Sequence, residues 1–191
     1  NMDASRLFWT LKIIGHKGDI RIVSGGLQAL AAEKADITGG NPAATPAVNT
    51  PGAPDRDMII HKDAIASQID NPDENFVLID VRSDEEYNAG TIPGSIHINH
   101  EDNLFSSDGT FRPVQNIRIL YKEQGIMPDD TIAMYCKSSI RAANTYAALY
   151  NAGYRNLKVY DGAWLEWSAE KMPVYKPETE IPVTVTQQDN S

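Results

Sequence analysis

Cysteine is almost absent from this chain: Cys136 is the single one among 191 residues. An internal disulfide is therefore excluded, and cysteine usage does not fix a redox compartment. Histidine is scarce as well. His16, His61, His97 and His100 show no spacing that converges on a metal, and His97 and His100 fall near a strand end where their side chains diverge. No apolar run approaches the roughly 20 residues of a membrane-spanning helix. No Gly-rich phosphate loop and no Ser/His/Asp arrangement is present. Positive charge is short, with 17 Lys and Arg against 26 Asp and Glu; the net charge of -9 argues against general affinity for nucleic acid or anionic membrane. No signal peptide is visible, but the chain begins Asn1-Met2 and its original start is expected to have been removed, so cytoplasm and periplasm both stay open.

What is present is an ordinary globular composition, 41% hydrophobic and 23% charged, sufficient for one or two modest domains. The lone thiol sits in an informative place. It follows Thr131-Ile132-Ala133-Met134-Tyr135, a short apolar run that reads as a buried strand. It precedes Ala142 to Asn151, an alanine-rich helical pattern. Cys136 is therefore expected in a tight loop between a strand end and a helix N-terminus, where backbone N–H groups and the helix dipole favour thiolate, the reactive form. Lys137 and Arg141 add positive charge, and Ser138 and Ser139 keep the loop small and polar. The plainer reading of a lone cysteine is a small buried hydrophobe.

The chain divides into residues 1–35, a Pro- and Gly-rich linker at 36–56, a compact domain at 57–176 and a polar tail at 177–191. In the domain, Phe76–Ile79 reads as a buried strand ending at Asp80, and Ser83 caps a short helix with Glu86 at its third position. Ser95–Ile98 is a short strand. Val114, Ile117, Leu120 and Tyr121 form one helical stripe, Leu157–Tyr160 is a further strand, and Trp164–Ala169 a last helix. This alternation predicts an α/β fold, a mostly parallel central sheet with helices on both faces and its site at the strand carboxyl ends.

Residues 4–30 repeat the end of that domain. Ala4, Phe8, Leu11 and Gly15 align with Ala142, Tyr146, Leu149 and Gly153 at an offset of 138; with one residue dropped, Arg21-Ile22-Val23 aligns with Lys158-Val159-Tyr160 and Gly25 with Gly162. Residues 1–35 are thus expected to be the helix–strand–helix remnant of a first copy whose earlier part lies upstream. Leu7, Phe8, Trp9, Leu11, Ile13 and Ile14 would leave a large apolar surface open, so a second polypeptide carrying the missing part, or a symmetry mate, is expected to cover it.

Leu78-Ile79-Asp80-Val81-Arg82 with Glu85-Glu86-Tyr87, then Gly90 to Asn99, the Cys136 loop, and Tyr160-Asp161-Gly162-Ala163-Trp164-Leu165-Glu166-Trp167 occur in an order that resembles the rhodanese (sulfurtransferase) superfamily, specifically a tandem two-domain member. The resemblance covers nearly the whole chain outside the linker and tail. It implies a catalytic domain at 57–176 after a silent first domain, and no cofactor beyond a covalent persulfide on Cys136, with no metal. It also implies that the stretch from Cys136 to Arg141 has the length tied to sulfur transfer; related phosphatase and arsenate reductase loops place their arginine one position later, where this chain has Ala142.

The reaction so implied moves a sulfane sulfur from a small anionic donor to cyanide or a thiol. Lys137, Ser138, Ser139, Ile140 and Arg141 would cradle the persulfide and the donor, the two cations favouring the thiosulfate dianion. Family loops linked to 3-mercaptopyruvate are uncharged and end in Thr, unlike this one. Some two-domain relatives carry a substrate-binding Arg six residues after the strand aspartate; Glu86 stands there and is expected to weaken donor binding if it faces the pocket. Asp80 and Arg82 support the loop or lock the neighbouring turn, and Trp164 either walls the pocket or packs in the core. The alternatives are a persulfide carrier that docks a partner, a phosphatase or arsenate reductase, and a purely structural module.

Overall fold

The computed structural model describes residues 1–40, 43, 46 and 52–177. The middle of the expected linker and nearly all of the expected tail lie outside the described residues.

Among the described residues five strands form one sheet: β1 (Ile59–Ile60), β2 (Phe76–Asp80), β3 (Ile96–His97), β4 (Thr131–Tyr135) and β5 (Leu157–Tyr160). Their order is β1-β5-β4-β2-β3, and every neighbouring pair is parallel. The helices are α1 (Met2–Ile13), α2 (Gly26–Ala32), α3 (Lys62–Asp70), α4 (Asp84–Ala89), α5 (Val114–Glu123), α6 (Ile140–Asn151) and α7 (Ala163–Ala169). Parallel strands need crossover connections, and the helices supply them while covering both faces.

Strand β4 shows how the sheet sorts its side chains. Ile132 and Met134 join one core cluster with Ile117 and Tyr121 of α5 and Leu149 of α6. Ala133 and Tyr135 join the other, with Ile65 of α3 and Trp167 of α7. The alternation is the period of two of a strand. Cys136 continues it, so its thiol falls on the α6 side and is 1% exposed.

The first segment departs from expectation in two ways. Arg21–Val23 forms no strand, because no described neighbour offers it a ladder. Nor is the apolar face of α1 left wholly open. Phe8 and Trp9 are buried, Ile13 packs on the core, and Phe8 meets Tyr150 edge-on at 5.7 Å. The helix that covers them is α6, the one the repeat aligns with α1. The pairing runs through near-equivalent positions: Lys12 Nζ donates to Tyr150 Oη at 2.9 Å, and Asn144 Nδ2 to Ser5 Oγ at 3.3 Å. Leu7, Ile14, Val23 and Leu27 stay exposed.

The end of the expected linker is also ordered. Gly52 N–H and Asp55 N–H donate to the carbonyls of Gly15 and Ile13, and Arg56–Met58 forms a 3-10 turn with Met58 buried.

Candidate active site

Three strand ends meet at the site. β2 ends at Asp80, β4 leads into Cys136, and β5 leads into Asp161. Carboxyl ends of parallel strands are where the loops of such folds converge.

The cysteine loop is shorter than the sequence pattern suggested. Helix α6 begins at Ile140 rather than Ala142, so only Lys137, Ser138 and Ser139 bridge the strand end and the helix. The left-handed Ser139 (φ +62°) makes the turn. The carbonyls of Cys136 and Lys137 accept hydrogen bonds from the N–H groups of Trp164 and Leu165 at 2.9 and 3.3 Å, at the start of α7. A trans peptide points its N–H away from its carbonyl, so the N–H groups of Lys137 and Ser138 face away from α7. Among the described residues no protein oxygen accepts from the N–H groups of Lys137 to Arg141. Successive unpaired backbone donors of this kind are the arrangement that receives an anion. Lys137 and Ser138 are exposed, Ile140 is 38% exposed, and Ser139 is buried.

Arg141 does not stand free. Its guanidinium donates to both carboxylate oxygens of Glu86, at 2.5 and 2.9 Å. Glu86 is held from behind by the α4 capping box, in which Ser83 Oγ accepts from Glu86 N–H and Glu86 accepts from Ser83 N–H, each at 3.3 Å. The Arg141 bonds lead the causes that, against burial and with help from Ser83, bring the Glu86 carboxyl down from 4.5 to about 2. Arg141 is raised in turn, first by its bonds to Glu86 and against the effect of burial. Of the two cations expected to greet a dianion, Arg141 is already engaged by Glu86, and Lys137 makes no ion pair among the described residues. His100 lines the same side, and burial followed by the Arg141 charge pushes its ring toward the neutral form.

The sign of the Glu86 shift fixes a pH dependence. A carboxyl lowered on folding adds stability that is present above its unfolded pKa and is lost as pH falls through its folded pKa. The difference in unfolding free energy between the native chain and Glu86→Gln should be flat above pH 5 and collapse between about pH 4.5 and 2. Urea titrations across that range measure it.

Asp80 and Arg82 make a buried pair beneath the loop, 0% and 2% exposed. Arg82 Nε and Nη2 donate to Asp80 at 2.9 and 2.6 Å, and Nη2 also donates to the Gly90 carbonyl at 2.6 Å. The hydroxyls of Thr91 and Tyr135 donate to Asp80 Oδ2, each at 2.9 Å. Trp164 lies over the Arg82 guanidinium at 4.2 Å and packs on the core. The pair thus ties the end of β2 to the Gly90 turn that closes α4. Among the described residues no group of His, Cys, Asp and Glu is placed to hold a metal.

Two residues of the site escaped the sequence reading. Asp161 Oδ1 accepts from Ser139 Oγ at 2.7 Å, and Arg6 Nη1 donates to both Ser139 Oγ, at 2.7 Å, and Asp161 Oδ1, at 2.8 Å. Asp161 falls within the closing motif, whose pattern alone assigns it no partner; Arg6 carries no local signal, since only the tertiary fold brings α1 to the loop.

Residues 62–170 match the family model described as a rhodanese-like domain. The chain belongs to the rhodanese-like family. It is 32% identical over 185 residues to the sulfur carrier protein TtuD of Thermus thermophilus, covering 87% of this chain and 64% of that protein. It is 28% identical over 206 residues to a thiosulfate sulfurtransferase of Corynebacterium glutamicum, covering 91% and 62%. The chain thus spans less than two thirds of either relative. Among solved structures, the anaerobic ergothioneine biosynthesis enzyme of Chlorobium limicola, in complex with trimethyl histidine, superposes with a TM-score of 0.81 at 25% identity, over 95% of this chain and 46% of that one.

Proposed function

We propose that this chain is a sulfurtransferase that carries a sulfane sulfur as a persulfide on Cys136. The observation that carries the reading is the loop itself: a single thiol at the end of the central strand, beside a row of unpaired N–H groups and a buried-side guanidinium. With thiosulfate as donor, the Cys136 thiolate attacks the outer sulfur. A new sulfur–sulfur bond forms, the bond to the sulfonate sulfur breaks, and sulfite leaves with its electron pair. Cyanide or a thiolate then bonds the terminal sulfur and the Cys136 thiolate is released. The persulfide anion rests among the N–H groups of Lys137 to Arg141, and Lys137 meets the donor's oxygens. The repeat and the exposed Leu7, Ile14, Val23 and Leu27 support reading residues 1–35 as part of a first unit of the same kind. Intact mass before and after thiosulfate, with thiocyanate assayed on the same sample, tests the reaction. One added sulfur released to cyanide supports it; no uptake from any donor sinks it.

A second reading, a sulfur carrier loaded by a partner protein, is favoured by the Glu86–Arg141 pair. The Arg141 guanidinium is already engaged by both carboxylate oxygens of Glu86, whose carboxyl the same bonds hold well below its usual range, so a small oxyanion must compete with that carboxylate for it. Glu86→Gln should therefore lower the thiosulfate KM about tenfold, the worth of one charge-assisted contact at ~1.4 kcal/mol. Steady-state kinetics at low salt measure it. Efficient loading by a protein persulfide, with thiosulfate turnover poor in both forms, would favour the carrier.

A further inference from the structure

We infer that Arg6, on a helix outside the matched rhodanese-like domain, is a positioning residue for the Cys136 loop. The inference rests on the sulfurtransferase reading. Three atoms form a closed triangle: Arg6 Nη1, Ser139 Oγ and Asp161 Oδ1, with sides of 2.7, 2.8 and 2.7 Å. Ser139 is the corner that matters. It is 1% exposed, it is not glycine, and it holds φ +62°. A serine keeps that conformation only where its surroundings fix it. The backbone on one side of Ser139 carries the free N–H groups of Lys137 and Ser138; on the other it begins α6 and so places Arg141. A shift of Ser139 therefore moves every donor around the sulfur at once, and displacements near 1 Å cost a reaction about 100-fold.

Arg6 is itself held in place. Its guanidinium lies 4.5 Å above the ring of Trp9, which is 2% exposed, and the adjacent Ser5 is fully buried and bonded to Asn144 of α6. Asp161 completes the clamp. Burial acts to raise its carboxyl, but the bonds from Arg6 and Ser139 outweigh that and hold it below the usual range. The Arg6 and Asp161 side chains are 33% and 45% exposed, so the ion pair alone adds little to folding. Its effect is on where Ser139 sits, and it should be read in turnover rather than in unfolding.

The full chain and its Arg6→Ala, Arg6→Lys, Ser139→Ala and Arg6→Ala/Ser139→Ala variants are compared with thiosulfate and cyanide. For Arg6→Ala, kcat and kcat/KM should fall together by about 10- to 30-fold, with KM and the melting temperature little changed. Arg6→Lys, which keeps a charged donor on this side of Ser139, should recover part of the loss. In the Ser139→Ala background the Arg6 substitution should cost less than about threefold, because the relay is already cut. Turnover of Arg6→Ala close to the native rate, a loss that only tracks unfolding, or an equal loss without the Ser139 hydroxyl would each overturn the inference. Alkylation of Cys136 by iodoacetamide gives a readout that needs no donor. Loosening the loop should expose the buried sulfur and speed alkylation several-fold. If the native chain takes up no sulfur but this acceleration is seen, the sulfurtransferase reading fails and the positioning role stands; if it is absent, the positioning role fails.

Discussion

Replacing Cys136 with serine should remove sulfur uptake from thiosulfate altogether and lower cyanide-dependent turnover by ~10³-fold or more, as the loss of a covalent nucleophile does. The expectation is unusually clean because the chain has no second cysteine to take over. A serine hydroxyl is not ionised at neutral pH and forms no stable bond to a sulfane sulfur. Its oxygen is also smaller and harder than a thiolate sulfur. Folding should survive, since the change is nearly isosteric and the N–H groups of the loop are at hand to receive the hydroxyl. Intact mass after thiosulfate, paired with a melting curve, checks both halves. An added sulfur on the serine variant would place the group elsewhere and remove Cys136 from the reaction.

Much of this fold was legible because its central strands are short, apolar and bounded. β2, β4 and β5 appeared where alternating burial on two covered faces demands continuous apolar runs. The α4 capping box was readable from Ser83 and Glu86 alone. β1 and α3 went unread, since two residues at a sheet edge and a helix that buries only Ile65 leave little pattern. Arg21–Val23 read as a strand by analogy with β5, yet a strand exists only beside another, and none is described there. At the site, the place of the cysteine after β4 and the sequence closeness of Asp80 and Arg82 were legible from local order, whereas the length of the loop was not, since α6 starts at Ile140. The partners of the loop were not. Glu86 stands out by its position, but its grip on Arg141 joins residues 55 apart, and the Arg6 contacts span 133 and 155. Pairings of that separation are set by packing, which no local pattern records.

The other large effect belongs to the pair beneath the loop. Arg82→Met should cost about 3–5 kcal/mol, the usual consequence of leaving one member of a buried ion pair without its partner, and lower the melting temperature by about 10 °C. The reason lies in what remains. Asp80 is fully buried and would keep two hydroxyl donors, Thr91 and Tyr135, but no cation. The Gly90 carbonyl would lose its donor, and the Trp164 ring the guanidinium it covers. Removing the charge as well should return part of the loss, so Asp80→Asn/Arg82→Met should unfold at higher urea than Arg82→Met alone. If the double variant is no more stable than the single, the cost is one of lost packing rather than of a stranded carboxylate. The two cases also differ at the site. Arg82 ties the end of β2 to the turn that closes α4, and α4 carries Glu86 onto Arg141. A stranded charge that reorganises this turn should therefore loosen the Glu86–Arg141 pair, and the change in thiosulfate KM seen with Glu86→Gln should shrink in the Arg82→Met background.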